Sequence, residues 1–306
     1  MNTIPCVNSL FEQPWWLDIV APGEWGEAIE KNESGEIIAR MPYVVTGKRI
    51  HMPPLTQTLG IWMAPEIKKD YGKQKTAVNG LFAQLPPFHS FEQALSPEND
   101  YVLPFRWLSC HMEPRFTYRL TDLSDCEALY QNFNKTAKKN IKYARNKTEV
   151  TSEIQLDTLL DMLEKTFSAQ RRKAPMPKEL IQKIVRVCDA SGHGKYLDAR
   201  DSEGNVHACA YFVYDEQVCY YLLGASDIRF RSSGAQSLIL WEGIQFASRH
   251  SKIFDFEGSM VEGIENFFRQ FGGVCTPYYT VSRRSFPEEV LLAAKPRVKR
   301  LLGYKI

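Results

Sequence analysis

The chain lacks the common signatures of metal, nucleotide and disulfide chemistry. No Cys-x-x-Cys pair occurs among its seven cysteines, Cys6, Cys110, Cys126, Cys188, Cys209, Cys219 and Cys275. Scattered and odd in number, they exclude a zinc framework or disulfide scaffold and point to a reducing, cytoplasmic setting. The six histidines match no ligand spacing, so no metal site is expected. A Gly-x-Ser-x-Gly elbow, a Walker loop and a dinucleotide fingerprint are all missing. No apolar run approaches the ~20 residues of a membrane helix, and residues 1–10 lack the basic and apolar regions of a signal peptide. Charge is also nearly absent as a net quantity: 38 Lys and Arg against 36 Asp and Glu leave +2. Such balance gives no global pull toward nucleic acid or a membrane surface.

What is present is an ordinary globular composition, 44% hydrophobic and 24% charged over 306 residues, long enough for two domains. Two hairpin signals stand out: residues 28–32 and 37–45 around Gly35, and residues 196–200 and 206–214 around Gly204. Aligning the two glycines pairs Ile37 with Val206, Ala39 with Ala208, Tyr43 with Phe212 and Val44 with Val213. The element order then continues in parallel. Each hairpin is followed by an apolar segment ending at a glycine (Gly60, Gly224) and a helix (residues 73–85, 233–249). A short strand (91–95, 253–257), an aromatic segment and a last strand (116–120, 278–282) complete each copy. A repeat of this length indicates duplication, with domains at 1–121 and 122–306. Strand, helix and strand in succession imply an α/β (α+β) fold, each copy a mixed twisted sheet flanked by helices.

Helical sequence lies between the copies. Ser124 and Glu127 fit a capping box, and Leu129, Phe133, Ala137, Ile141 and Ala144 recur at helical spacing as one helix. A second helix follows Asp157, and a third starts at Pro177 and ends by Gly192.

Five segments could carry chemistry. Arg229, Arg231, Ser232, Ser233, Gly234, Ala235 and Gln236 form a small-residue turn that opens a helix. Unpaired N–H groups there suit a phosphate, Gly234 would allow close approach of a ligand, and the arginines would add charge. Asp255 and Glu257 follow Phe254 and Phe256 at strand alternation, so a carboxylate at the strand end could accept a proton. Phe267, Phe268 and Phe271 have core spacing, with Arg269 free to face a ligand and Tyr278 and Tyr279 pointing to opposite faces of the last strand. The run Lys135, Lys138, Lys139, Lys142, Arg145 and Lys147 makes a basic helix face suited to phosphate or, as commonly, to solvent. Gln170 and Arg171 close a helix and could line a substrate pocket.

In order and spacing, Leu223-Gly224-Ala225, Arg231-x-x-Gly234, Phe254-Asp255-Phe256-x-Gly258 and Phe267-x-x-x-Phe271-Gly272 resemble the FemA/FemX-like branch of the GNAT superfamily. The likeness is closest to its BioF2-like acetyltransferase domain. It spans about residues 122–283 and implies two GNAT units with the second one working. It implies that acyl-CoA pyrophosphate sits on the turn from Arg231 to Gln236, where Gln236 replaces the family's small residue. FemX-like proteins carry a lysine where this chain has Phe268.

The expected activity is N-acyl transfer from acyl-CoA, a co-substrate rather than a tightly bound cofactor, to a primary amine in a ternary complex. Glu257 is the expected proton acceptor, with Asp255 beside it, and Tyr278 or Tyr279 the donor to the leaving group. The acceptor would be a small-molecule or cell-wall or lipid-linked amine. Two other readings stay open: transfer from aminoacyl-tRNA to a cell-wall precursor, and a non-catalytic binding protein on the same fold.

Overall fold

The computed structural model describes residues 3–153, 155–169, 176–258 and 260–284. Contacts divide the chain into Asn2–Arg115 with Tyr278–Ile306, and Phe116–Pro277.

The first unit begins with helix α1 (Pro14–Val20) and the hairpin of β1 (Trp25–Lys31) and β2 (Ile37–Thr46). Gly35 turns the hairpin at φ 83°, a conformation that glycine adopts without steric cost. Strand β3 (Arg49–His51) pairs antiparallel with β2, as does the short β4 (Trp62–Met63). Helices α2 (Pro65–Lys68) and α3 (Tyr71–Ala83) cross over to β5 (Ser90–Ala94), which runs parallel to β3. Asp70 caps α3 by accepting from the amides of Gly72 and Lys73. Met41, Leu81, Phe91 and Phe105 are buried in this unit's core. Helix α4 (Leu103–Trp107) leads to β6 (His111–Leu120), which crosses the division between the units.

The second unit opens on α5 (Cys126–Asn132) and α6 (Lys135–Arg145), then β7 (Glu149–Thr151), α7 (Leu156–Ala169) and α8 (Lys178–Ala190). Two expectations are corrected here. The cap of α5 is Asp125, which accepts from the Ala128 amide, while Ser124 donates its hydroxyl to Asp122. The single helix expected through Leu129 and Ala144 is two, because Asn134 caps a new start by accepting from the Ala137 amide. A side chain that can mimic a backbone acceptor ends one helix and begins the next without breaking the apolar spacing.

Strands β8 (Gly194–Arg200), β9 (Val206–Tyr214) and β10 (Val218–Ser226) form a meander, and α9 (Ala235–Ala247) crosses to β11 (Ile253–Asp255), parallel to β10. Helix α9 is apolar nearly all round and packs on β9, as a helix buried on several sides must be. Helix α10 (Glu262–Phe268) and β12 (Val274–Arg284) follow. Phe212, Leu240, Ile244, Phe254 and Phe271 lie in this unit's core.

The two units share one sheet topology: an antiparallel hairpin, a third antiparallel strand, a crossover helix and a fourth strand parallel to the third. The strands that close them are exchanged relative to chain order. Residues 280–284 of β12 pair antiparallel with β5, and Leu120 and Arg119 of β6 pair antiparallel with Phe254 and Asp255 of β11. The strand at 116–120, expected to complete the first copy, therefore lies beside β11. The strand at 278–282, expected to complete the second, lies beside β5. Among the described residues no helix is long and apolar enough to cross a membrane.

Candidate active site

Strands β10 and β11 are parallel neighbours only from Val218 to Tyr220 against Ile253 to Asp255. Beyond that point β10 continues to Ser226 while β11 ends. The β9–β10 register shifts between Tyr220 and Leu223, a bulge that bends β10. The backbone edge left open on β10 offers N–H and C=O groups to a ligand. Crevices at the carboxyl ends of parallel strands are the usual ligand site of such sheets. A cleft of about 650 Å³ lies here, lined by β10, the α9 turn, the segment after β11, and α10. That volume is in the range of small-molecule and cofactor sites.

One wall is the turn into α9. Gly234 adopts φ 74°. A Cβ at Gly234 would lie 2.4 Å from the carbonyl oxygen of Asn140 on α6. The packing of α6 against the turn thus requires a glycine at this position. Ser233 is buried, and its hydroxyl accepts from the Ala235 amide at 3.3 Å. Arg231, Ser233, Gly234, Ala235 and Gln236 all line the cleft. Arg231 makes no ion pair among the described residues. Arg229 does not line the cleft; its guanidinium pairs with Asp227 at 2.7 Å. Ser232 is also outside the lining. Gln236 donates its amide N–H to the phenol oxygen of Tyr221.

The opposite wall is set by Asp255. This carboxylate is fully buried and accepts from Arg119 Nε (2.6 Å), Thr117 Oγ1 (2.6 Å) and the Glu257 amide (2.8 Å). Charge-assisted bonds of this length are the strong ones. Strand geometry ends there: Glu257 has φ 60°, rare for a residue with a Cβ, and Gly258 follows at φ 58°. A Cβ on Gly258 would meet the Phe116 carbonyl oxygen at 2.2 Å. The bend carries Glu257 out of the alternation and into the cleft lining. Its Oε1 is buried with no hydrogen-bond partner among the described residues. Burial, reinforced by the Asp255 charge, pushes its carboxyl well above the ordinary glutamate range.

Other expected residues fall elsewhere. Tyr278 is buried and Tyr279 packs in the first unit, where its carbonyl accepts from the Leu95 amide. Neither lines the cleft. Arg269 is exposed, pairs with Glu265 at 3.2 Å, and also lies outside the lining. Gln170 and Arg171 lie outside the described residues. Of the basic run, Lys138 Nζ donates to the Gln131 carbonyl and Arg145 pairs with Glu242, while Lys135, Lys139 and Lys142 are exposed.

The cleft also contains residues that the sequence did not single out. Tyr221, Leu222 and Ile264 line it, as do His207 and Phe230, whose rings stack at 3.9 Å. His207 Nε2 meets Asp201 at 3.0 Å. The adjacent pair Tyr220 and Tyr221 was a legible signal for Tyr221; nothing local marks His207. Among the described residues, no cluster of His, Cys, Asp and Glu could hold a metal ion.

Residues 131–269 match the family model described as Acetyltransferase (GNAT) domain. No curated protein matches the sequence. Among solved structures the fold is similar to FemX, with a TM-score of 0.64 at 12% identity over 88% of this chain and 91% of that one. It is also similar to a tandem GNAT protein from the clavulanic acid biosynthesis pathway, with a TM-score of 0.53 at 7% identity over 89% and 88%. A third similar fold is L-PGS from Bacillus licheniformis, with a TM-score of 0.53 at 12% identity over 94% and 91%.

Gly234→Ala places a methyl against backbone in a left-handed conformation, so we expect a stability loss of about 2 kcal/mol or more by urea unfolding. Gly35→Ala, with open space around its Cβ, should lose only about 1 kcal/mol. Equal losses would show that the α6–turn contact is not the constraint.

Proposed function

We propose that the cleft transfers an acyl group from acyl-CoA to a primary amine, a reading supported by the match of residues 131–269 to an acetyltransferase (GNAT) domain. The observation that carries this reading is the pairing, in one cleft, of a helix N-terminal turn with the Glu257 carboxyl, whose Oε1 is buried without a hydrogen-bond partner among the described residues. The first-turn amides of α9 and the nearby Arg231 take the donor's pyrophosphate. The open edge of β10 takes the arm that follows, which brings the thioester carbonyl to the gap between β10 and β11.

The amine attacks that carbonyl carbon, a C–N bond forms, and the C–S bond breaks as the tetrahedral intermediate collapses. The nitrogen loses its proton to Glu257. A carboxyl raised by burial is a stronger base than one in water, which suits this role. Asp255 stays a positioning residue: its oxygens are occupied by Arg119, Thr117 and the Glu257 amide. The leaving thiolate takes a proton from Tyr221. Because Gln236 donates to the phenol oxygen, the Tyr221 O–H is left free to donate. Burial holds that phenol above its usual range, so it is protonated at neutral pH. Gln236, at the family's small-residue position, thereby gains a task in orienting Tyr221. Much of the rate comes from holding donor and amine together.

The rate should rise with pH through the elevated Glu257 titration, since only the ionised carboxyl accepts the proton. Glu257→Gln should cost about 10²–10⁴-fold in kcat and remove that acidic limb. A variant with unchanged kcat and the same limb would refute the assignment.

The exposed cations Lys135, Lys139 and Lys142 on α6 favour one second reading, an aminoacyl-tRNA donor with a cell-wall precursor as acceptor. It requires salt-sensitive tRNA binding that weakens when Lys139 and Lys142 are neutralised. Binding indifferent to both salt and these substitutions would remove it.

A further inference from the structure

The cleft has two chemically different ends. At the α9 end lie Arg231, Ser233 and the first-turn amides; at the α10 end lie Ile264, Phe267 and Phe268. Phe268 is buried and packs edge-on against Tyr221 at 5.9 Å, with Phe256 5.4 Å away. No lysine or arginine contributes to the lining on this side; α10 presents Gly263, Ile264, Phe267 and Phe268. Among the residues that line the cleft the one acidic group is Glu257, whose carboxyl burial pushes well above the ordinary glutamate range. Apolar side chains are also exposed at and just before the start of α10. Ile264 is 41% exposed, and Met260 and Val261, just before it, are each 53% exposed.

We propose that the α10 wall binds the donor's acyl group, and that this group is a hydrocarbon chain longer than acetyl. The inference rests on the acyl-CoA reading above. A donor anchored at the α9 turn and running along β10 reaches the gap at Tyr221 with its thioester. Whatever extends past the carbonyl meets the wall of Phe256, Phe268, Phe267 and Ile264. An acetyl group would end at the gap and leave that surface wet. A chain of several methylenes covers it.

The test is calorimetric binding of CoA, acetyl-CoA, butyryl-CoA, hexanoyl-CoA and octanoyl-CoA to the full chain. Each methylene buried on the wall should lower Kd by about fourfold, so octanoyl-CoA binds far more tightly than acetyl-CoA. Arg231→Ala should weaken every member by a similar factor and keep the slope. Phe268→Ala should flatten the slope; Ile264→Ser, a substitution at a partly exposed position, tests the same point if the Phe268 variant does not fold. Binding of all CoA species with no dependence on chain length would overturn the inference while leaving the donor reading intact. So would a flat donor series accompanied by faster turnover of increasingly apolar amines, which would give the wall to the acceptor. Failure of CoA itself to bind would sink the donor reading and this inference with it.

Discussion

The site depends on one buried ion pair. Asp255, at the last residue of β11, is held by Arg119 and Thr117 of the neighbouring strand and in turn holds the amide of Glu257. Removing one partner of such a pair leaves the other as an uncompensated charge in the interior, at a cost of about 3–5 kcal/mol. The pair therefore fixes where β11 stops. It also fixes the left-handed bend at Glu257, and it supplies a negative charge that, after burial, helps to push the Glu257 carboxyl above the ordinary glutamate range. Backbone strain of this kind, about 1–3 kcal/mol, persists only where surrounding structure over-determines it. Here the surroundings are the Asp255 hydrogen bonds and the contact of Gly258 with the Phe116 carbonyl.

That arrangement is possible because β6, rather than β12, lies beside β11 in this unit. The residues that anchor the carboxyl come from a segment more than a hundred positions earlier in the chain. Both units keep the same strand order, so the exchange of closing strands leaves the architecture intact. It changes which residues are neighbours of the site, and it is the reason that Tyr278 and Tyr279 pack in the first unit.

Much of the architecture was legible in local sequence. The hairpins around Gly35 and Gly204 and the apolar α9 follow from turn chemistry and spacing, and the duplication follows from their repeated order. What was not legible is long-range pairing. Nothing in residues 116–120 says whether they close their own copy or another, because strand periodicity carries no partner identity. The same limit applies to the site. The α9 turn and Glu257 were visible as a helix start and a strand-end carboxylate. Arg229 was not separable from Arg231 until Asp227 was seen to occupy it, and Asp255 could not be recognised as an anchor without Arg119. Tyr221 sits on a bulge that only the β9–β10 register reveals.

Chemically, the result is a cleft that is polar where a phosphate would sit and apolar beyond the thioester, with a single perturbed carboxyl at the junction. The state of that carboxyl is the central claim. The direct measurement is a carboxyl-carbon NMR titration of the wild-type chain, with the Glu257 signal assigned by its loss in Glu257→Gln. The account predicts that Glu257 titrates well above the ordinary glutamate range, and that Asp255→Asn brings it down. A Glu257 that titrates like a glutamate in water would contradict the account.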